Sequence, residues 1–385
     1  MSTSNASAPL PADWARTMVE PEAFRHEQRR LAHVWTFLGL TGDVARDGDW
    51  FRASIATRSV FVQRFSAELR GFENLCPHRF YPLRNADRGN GPVICGFHHW
   101  HYDREGRAAG IPLCKELFGV VPQELGAHLN SIEIAVCGTL IFGRFPGAGA
   151  TDTLEEFLGE GFPILAAASP AKSRPKLLVS PIEANWKLCL HITLDDYHAV
   201  TIHPETLGKE GYVRRKNISY VQFGVHSAFL NTSQEQPLER ISAACRDGTF
   251  RPSHYCIFHV APNMLLVWFR TDTRCWHCCI QIYDPVRHDR TIMRTWAYPA
   301  PFAMDHAWLR TLTDPVRKPI VHYYLNKVFR QDNAASERIQ QVAHQIDRPP
   351  LLGALEERIG WFEQSIGGLV DPANRQAPQA PEDTA

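Results

Sequence analysis

The 385-residue chain has no excess of charge of either sign: 41 Lys and Arg stand against 41 Asp and Glu. That balance removes the electrostatic reason to expect nucleic acid or an anionic membrane as partner. The sequence also has no apolar run approaching the roughly eighteen residues needed to cross a bilayer. Its opening, MSTSNASAPLPADW, lacks a basic stretch followed by an apolar one and does not read as a secretory signal. A cytoplasmic protein is expected. What the chain does have is ten cysteines together with eighteen histidines. A disulfide framework is excluded by the length of the chain and the scatter of the cysteines. Most thiols are expected to pack as small hydrophobes, so the informative ones are those at ligand spacing with histidine.

The length fits two domains with real cores. Residues 1–12 form a polar lead, and 21–37 carry Phe24, Leu31, Val34 and Trp35 in an amphipathic helical pattern. From about 40 to 145 the pattern changes to short β-like runs such as 59–65 and 132–143. FPGAGATD at 145–152 marks a boundary. A helix (DTLEEFL), a strand (KLLVS) and a helical region over 183–202 follow, then a β-rich stretch over 218–300. A long helix is expected from Pro319 to about 347, and a small, polar, Pro-rich tail after 366 reads as disordered. The expected division is a helical lead at 1–39 packed on the second domain, a first domain at 40–150, a second at 151–366 and a tail at 367–385.

Two clusters carry chemistry. In CPHRFYPLRNADRGNGPVICGFHHWHY, Cys76 and His78 form C-x-H, and Cys95 and His98 form C-x-x-H. Chance alone gives this spacing on the order of once in 1,500. Two turns, each presenting a thiolate and an imidazole, suit a tetrahedral zinc ion or a [2Fe–2S] cluster with mixed ligation. One Cys and one His per loop better suits the cluster, with both cysteines on one iron and both histidines on the other. His99 and His101 read as bystanders on the loop.

Further on, Asp195, His198 and His203 form D-x-x-H-x₄-H. On a helix, Ile192, Asp195, His198, Ala199 and Ile202 would share one stripe, placing polar groups on a face that should be buried. Pro204 disfavours helical geometry at His203 and marks the helix end. In the long helix the apolar stripe Val321, Tyr324, Leu325, Val328, Ala335, Ile339, Val342, Ile346 is interrupted by Asp332. A carboxylate there is costly unless it is paired or binds metal. Glu337 and Arg338 fall off the stripe and read as solvated. Two imidazoles and one carboxylate make the facial triad of non-haem Fe(II) oxygenases.

The two motifs together resemble the large (alpha) subunits of Rieske non-haem iron ring-hydroxylating oxygenases. Cys76-Pro77-His78-Arg79 and the run from Cys95 to Gly106 match that family's cluster loops, except that Phe80 and His99 stand where glycines are usual. The N-W-K lead at 185–187, the D-x-Y-H-x₄-H pattern and the acidic C-terminal helix match its catalytic half, with Leu190 and His191 in place of the usual E-N beside the iron pocket. The resemblance implies that Cys76, His78, Cys95 and His98 hold a [2Fe–2S] cluster and that His198, His203 and Asp332 hold a mononuclear Fe(2+). It gives Asp195 the role of an electron bridge from a neighbouring subunit's cluster, ahead of Asp196, and puts Tyr197 at the metal pocket.

The implied fold is α+β: a β-rich Rieske domain followed by a helix-grip (START-like) catalytic domain, its antiparallel sheet lying over a long C-terminal helix. The implied function is the terminal oxygenase of a multi-component system. NAD(P)H-derived electrons would come through a reductase or ferredoxin, and O₂ would hydroxylate, or dihydroxylate, an aromatic compound. A Rieske monooxygenase or N- or O-demethylase acting on a small or quaternary amine is the alternative, and an electron carrier with an inactive second site is a third. The resemblance also implies a homotrimer, with a β subunit left open. CWHCC at 275–279 reads as strand packing, and Arg79, Arg84, Arg88, Arg104 and Arg107 form either a donor-docking surface or a solvated one.

Overall fold

A computed structural model of the chain describes residues 10, 13–147, 151–168, 175–207, 218–232, 234–270, 276–298 and 307–371. The chain separates into two compact units, residues 32–154 and residues 1–31 with 155–385.

The smaller unit is β-rich. Its main sheet runs in the order Thr36–Leu40, Leu140–Arg144, Ser131–Cys137, Glu68–Glu73, Arg58–Phe65, Asp49–Ile55, Arg88–Asn90, and a three-stranded sheet joins Val93–Ile94, His101–Tyr102 and Ala108–Gly110. The run at 132–143 is a hairpin rather than one strand, because Gly138 turns the chain at φ 61°. The helix expected over 21–37 ends at Leu31, and Thr36 already begins a strand. One apolar cluster gathers Phe61, Phe72, Trp100 and Tyr102 around Cys76 and Cys95, so the cysteine loops are rooted in the core. Gly106 closes this region at φ 80°, where an added Cβ would sit 2.6 Å from the Phe72 ring.

The larger unit holds a seven-stranded antiparallel sheet. Six strands follow one another as a meander, Ser219–Phe223, His226–Leu230, Cys256–Val260, Met264–Arg270, Trp276–Arg287 and Arg290–Tyr298, and Lys176–Ile182 adds to the last of them. The β-rich stretch is interrupted by a helix, Pro237–Arg246, whose Pro at the first turn suits a helix start. The long helix spans Ala307–Val342 and so begins twelve residues before Pro319. Pro315 and Pro319 are exposed and each removes only one i→i−4 bond, so they do not end it. Val342, expected on the buried stripe, is exposed, while Ser336 and Ala343 are buried. A straight helix drifts off a seven-residue repeat, and the contact face has rotated by this point. Glu337 is not simply solvated, since its carboxylate accepts the Glu183 N–H at 3.1 Å. The last helix, Glu357–Val370, continues four residues into the tail expected to be disordered, because Ile366 at 2% exposure still packs in the core. Residues 372–385 lie outside the described residues.

Beneath the sheet, Lys187 is buried between Glu27 at 3.2 Å and Glu363 at 3.3 Å. Burial would lower its pKa, but the two carboxylates outweigh that and raise it. His191 completes the group: its Nε2 lies 2.8 Å from Glu363, and its ring stacks on Trp14 at 5.7 Å. The network ties an N-terminal helix, the helix Trp186–Leu194 and the last helix together. Removing the cation would strand two buried carboxylates. Lys187→Met is expected to destabilise this unit by about 3–5 kcal/mol, read as a lower urea midpoint. Burial also holds the imidazoles of His226 and His259 down, to about 4 and about 3. Their unfolded forms bind protons near pH 6.5, so this contribution is complete above that pH and declines as pH falls toward 4. The urea midpoint should therefore drop between pH 7 and pH 5.

Candidate metal centres and substrate pocket

The two cysteine loops share one hydrogen-bond pattern. Cys76 N–H donates to the Tyr81 carbonyl at 2.9 Å and the Cys76 carbonyl accepts from Phe80 at 2.8 Å; Cys95 does the same with Trp100 at 2.9 Å and His99 at 3.0 Å. In both loops the fourth residue after cysteine is left-handed, Phe80 at φ 58° and His99 at φ 56°. The backbone that glycine usually serves is therefore kept despite the larger residues. Asn74 steadies the first loop by binding both backbone groups of Arg84, at 2.7 and 2.8 Å.

Within this frame Cys76 and Cys95 are 1% exposed, whereas His78 and His98 are half-buried with ring centroids 4.6 Å apart. His78 stacks on Trp100 at 4.7 Å. Burial, with His98 and Arg79 nearby, lowers its pKa and keeps the ring neutral, as a metal ligand must be. Its Nδ1 is buried without a hydrogen-bond partner. Burial pushes the Cys76 thiol up, opposed by the Tyr102 hydroxyl 3.0 Å from its sulfur. A zinc ion would draw four donors to within about 4 Å of one another. Among the described residues the only trio of possible donors within 4.8 Å lies in the other unit, so no three of these four are that close. The wider spacing fits a two-iron cluster. His99 and His101 are exposed. Of the five arginines, Arg84 is buried over Trp50 at 4.6 Å and hydrogen-bonds Gln63, so it belongs to no docking surface. Arg88, Arg104 and Arg107 pair with Asp43, Glu105 and Asp103.

In the larger unit the helix expected to run through 202 stops at Leu194. The Asp195 carboxylate accepts the N–H groups of Tyr197 at 2.6 Å and His198 at 3.2 Å. That local turn competes with the helix and wins. Tyr197 is thrown outward at 67% exposure and does not join the pocket. A short helix, Ala199–Ile202, then ends at His203, whose φ −116° and ψ 47° are not helical. The turn brings His198 and His203 against the long helix, where Asp332 Oδ1 lies 2.8 Å from His203 Nε2 and 3.5 Å from His198 Nε2. The three donor atoms are mutually within 4.8 Å.

Each imidazole has its other nitrogen facing an acceptor. His203 Nδ1 is 2.9 Å from Gln331 Oε1, and His198 Nδ1 is 3.4 Å from Asp195 Oδ2, without a full hydrogen bond. Such partners fix the tautomer and leave Nε2 free for a metal. Burial would lower the His198 pKa, but Asp195 and Asp332 outweigh it and hold it at about 10. Burial would likewise raise Asp332, and the two imidazoles pull it below its usual value. The cluster of groups is thus short of positive charge, and a divalent cation in place of the imidazole proton would supply it. The donor set fits Fe(II).

A cavity of about 800 Å³, counting its mouth, opens on these groups. Its walls follow the two periodicities of the fold. Tyr255, just before its strand, and alternate strand residues Ile257, then Leu265, Val267 and Phe269, then Cys279 and Gln281 line it; the long helix contributes Leu325, Val328 and Phe329 at the spacing that leads to Asp332. Cys278 and Cys279 are both buried, as strand packing requires; Cys275 lies outside the described residues. The departure at Leu190 and His191 leaves the cavity untouched, for neither lines it. Sequence reasoning missed Gln331, Gln281 and the role of Asp196. The last is buried, accepts the Tyr220 hydroxyl at 2.7 Å, and is pushed up to about 6 by burial, with Arg358 and Tyr220 opposing.

Comparison with known proteins now places the chain. Residues 166–371 match the ring hydroxylating alpha subunit (catalytic domain), and residues 34–125 match the Rieske [2Fe-2S] domain. The chain belongs to the ring-hydroxylating alpha-subunit family. Among its relatives are the glycine betaine monooxygenase oxygenase subunit of Chromohalobacter salexigens (27% identical, over 49% of this chain and 42% of the relative) and the large oxygenase component of a Pseudomonas fluorescens naphthalene 1,2-dioxygenase system (28%, over 49% and 43%). The chain spans about half the length of the curated relatives it matches. Its fold is that of a quaternary ammonium Rieske monooxygenase (TM-score 0.72, 16% identical, covering 95% of this chain and 99% of the other) and of naphthalene 1,2-dioxygenase from Rhodococcus sp. (0.72, 19%, 92% and 94%).

The left-handed positions offer a direct check on the loops. Phe80→Gly and His99→Gly should each raise stability by about 1 kcal/mol if strain is relieved, read as a higher denaturant midpoint with the cluster in place.

Proposed function

We propose that the protein is the terminal oxygenase component of a multi-component Rieske system, residues 32–154 forming the electron-storing unit and the remainder the catalytic one. The observation that carries this reading is the meeting of His198, His203 and Asp332 at the floor of an apolar cavity. In it Cys76, Cys95, His78 and His98 hold the [2Fe–2S] cluster, and His198, His203 and Asp332 hold the iron. When bound, the cluster stores electrons and the iron activates O₂.

The chain's own residues do the rest. His78 and His98 form the half-buried end of the cluster site, where electrons can leave. Asp195 anchors the turn that presents His198 and faces its Nδ1, the position of an electron bridge. Gln331 keeps the His203 proton on Nδ1, and the sheet and long helix exclude water above the donors. Around the cluster loops Phe80, Phe97, Leu113 and Leu117 are between 48% and 71% exposed. Exposed apolar side chains of this number favour contact with another chain, in keeping with a homotrimer in which one subunit's cluster serves the next subunit's iron. A reductase or ferredoxin supplies NAD(P)H-derived electrons, and the cytoplasm is the expected setting.

Hydroxylation or dihydroxylation of an aromatic compound is the leading reaction. Oxidative demethylation of a quaternary amine is the second, kept open by relatives named for both chemistries. The carrier reading is disfavoured by the complete donor set. Anaerobic assay should find about three irons and two acid-labile sulfides per chain. Cys76→Ser should remove about two irons and Asp332→Ala about one, leaving the visible cluster absorption intact. Loss of all iron in Cys76→Ser would mean that no mononuclear site exists. With ¹⁸O₂, two labelled oxygens in one product mark dioxygenation, and formaldehyde marks demethylation.

A further inference from the structure

The cavity wall carries a neutral amide that the metal site does not use. Gln281 projects from the strand Trp276–Arg287 and is 3% exposed. Its side-chain Nε2 makes one weak contact, 3.5 Å to Met293 Sδ, and its amide oxygen has no hydrogen-bond partner among the described residues. The residue lines the cavity beside Cys279, Leu265 and Val267. The amide oxygen is not among the fully buried atoms that lack a partner, so it faces the cavity space, where a hydrogen-bonding group of an occupant can reach it.

The surroundings define the charge of that occupant. No Lys or Arg is among the described lining residues, so no cation of the described wall receives a carboxylate. The lining carboxylates are already engaged: Asp195 with two backbone N–H groups, Asp196 with Tyr220, Asp332 with the imidazoles. None stands unpartnered in the cavity as a counter-ion for a quaternary ammonium. Burial pushes the Cys279 thiol up to about 12, so it adds no charge. Apart from the Thr193 hydroxyl, which donates to the Leu190 carbonyl at 2.8 Å, and the Tyr255 phenol, the remaining described wall is aliphatic and aromatic.

We propose that Gln281 orients an uncharged substrate, a largely apolar ring bearing one neutral hydrogen-bonding group, which hydrogen-bonds the Gln281 amide while its ring lies over the metal donors. This deepens the oxygenase reading and rests on it. A hydroxyl or ring N–H would donate to the amide oxygen. With that group fixed on the sheet, the ring has one edge presented to His198, His203 and Asp332.

The test is direct binding to the full-length, metal-loaded protein under anaerobic conditions, without turnover. The probes are four ligands of one shape: 2-naphthol, naphthalene, naphthalene-2-carboxylate and (2-naphthyl)trimethylammonium. The expected result is that 2-naphthol binds at least tenfold more tightly than either charged probe. In Gln281→Met its affinity should fall about tenfold, with naphthalene unchanged. Iron content and cluster absorption of the variant report that it has folded. The proposal is overturned if a charged probe binds as well as 2-naphthol, if the variant weakens 2-naphthol and naphthalene alike, if 2-naphthol is unaffected, or if no probe binds. A chain with only two irons would instead sink the oxygenase reading, so the two failures are separable.

Discussion

One carboxylate organises the larger unit. The Asp332 side chain stands in the apolar stripe of a 36-residue helix, and leaving its charge there alone would cost several kcal/mol. Two imidazoles from a different segment answer it, and that requirement fixes how the helix sits. A slip of one residue would turn Asp332 away by about 100° and replace it with Gln331 or Asn333. The same stripe, three, four and seven residues earlier, supplies Phe329, Val328 and Leu325 to the cavity. One candidate metal donor, Asp332, and part of the cavity wall are therefore carried by one rigid element, and their spacing cannot drift independently. A loop could not guarantee that.

The smaller unit solves a different problem by different means. Its four candidate ligands sit in loops, where side-chain packing alone would not hold a cluster. The backbone does so instead, through the paired hydrogen bonds around Cys76 and Cys95 and the left-handed residues that close each turn. Phe80 and His99 carry the strain of that geometry. Their side chains are exposed, so what is lost in backbone comfort is not compounded by crowding. The smaller unit thus accepts a local conformational cost where donors must be aimed.

How much of this could be read in advance depended on whether the signal was local. The cysteine and histidine spacings were legible because cluster chemistry demands them within short loops. Asp332 was legible because a charge in an apolar stripe is conspicuous. The break at Asp195 was not foreseen: the stripe argument treated 192–202 as one helix, whereas an aspartate accepting two nearby N–H groups ends it. The proline at 319 misled in the opposite direction, since an exposed proline need not terminate a helix held by tertiary packing. Gln331 gave no signal, being a polar residue on a helix with many. Gln281 gave none either, because a strand buried on both faces does not reveal which face meets a cavity.

These two kinds of signal bear on what distinguishes members of the family. Relatives named for a quaternary amine and for naphthalene match this chain almost equally well. The two candidate donor sets that the sequence exposes are compatible with either chemistry. Strand residues facing the cavity, where spacing is silent, can carry the difference. There a substitution such as glutamine for a carboxylate or an arginine changes the charge a substrate can carry without moving a single metal donor. A hydrogen-bonding site that requires its partner discriminates far more sharply than an apolar wall that tolerates one more methylene. The choice of substrate can therefore be set by a handful of residues on Cys256–Val260, Met264–Arg270 and Trp276–Arg287, while the triad beneath them stays the same.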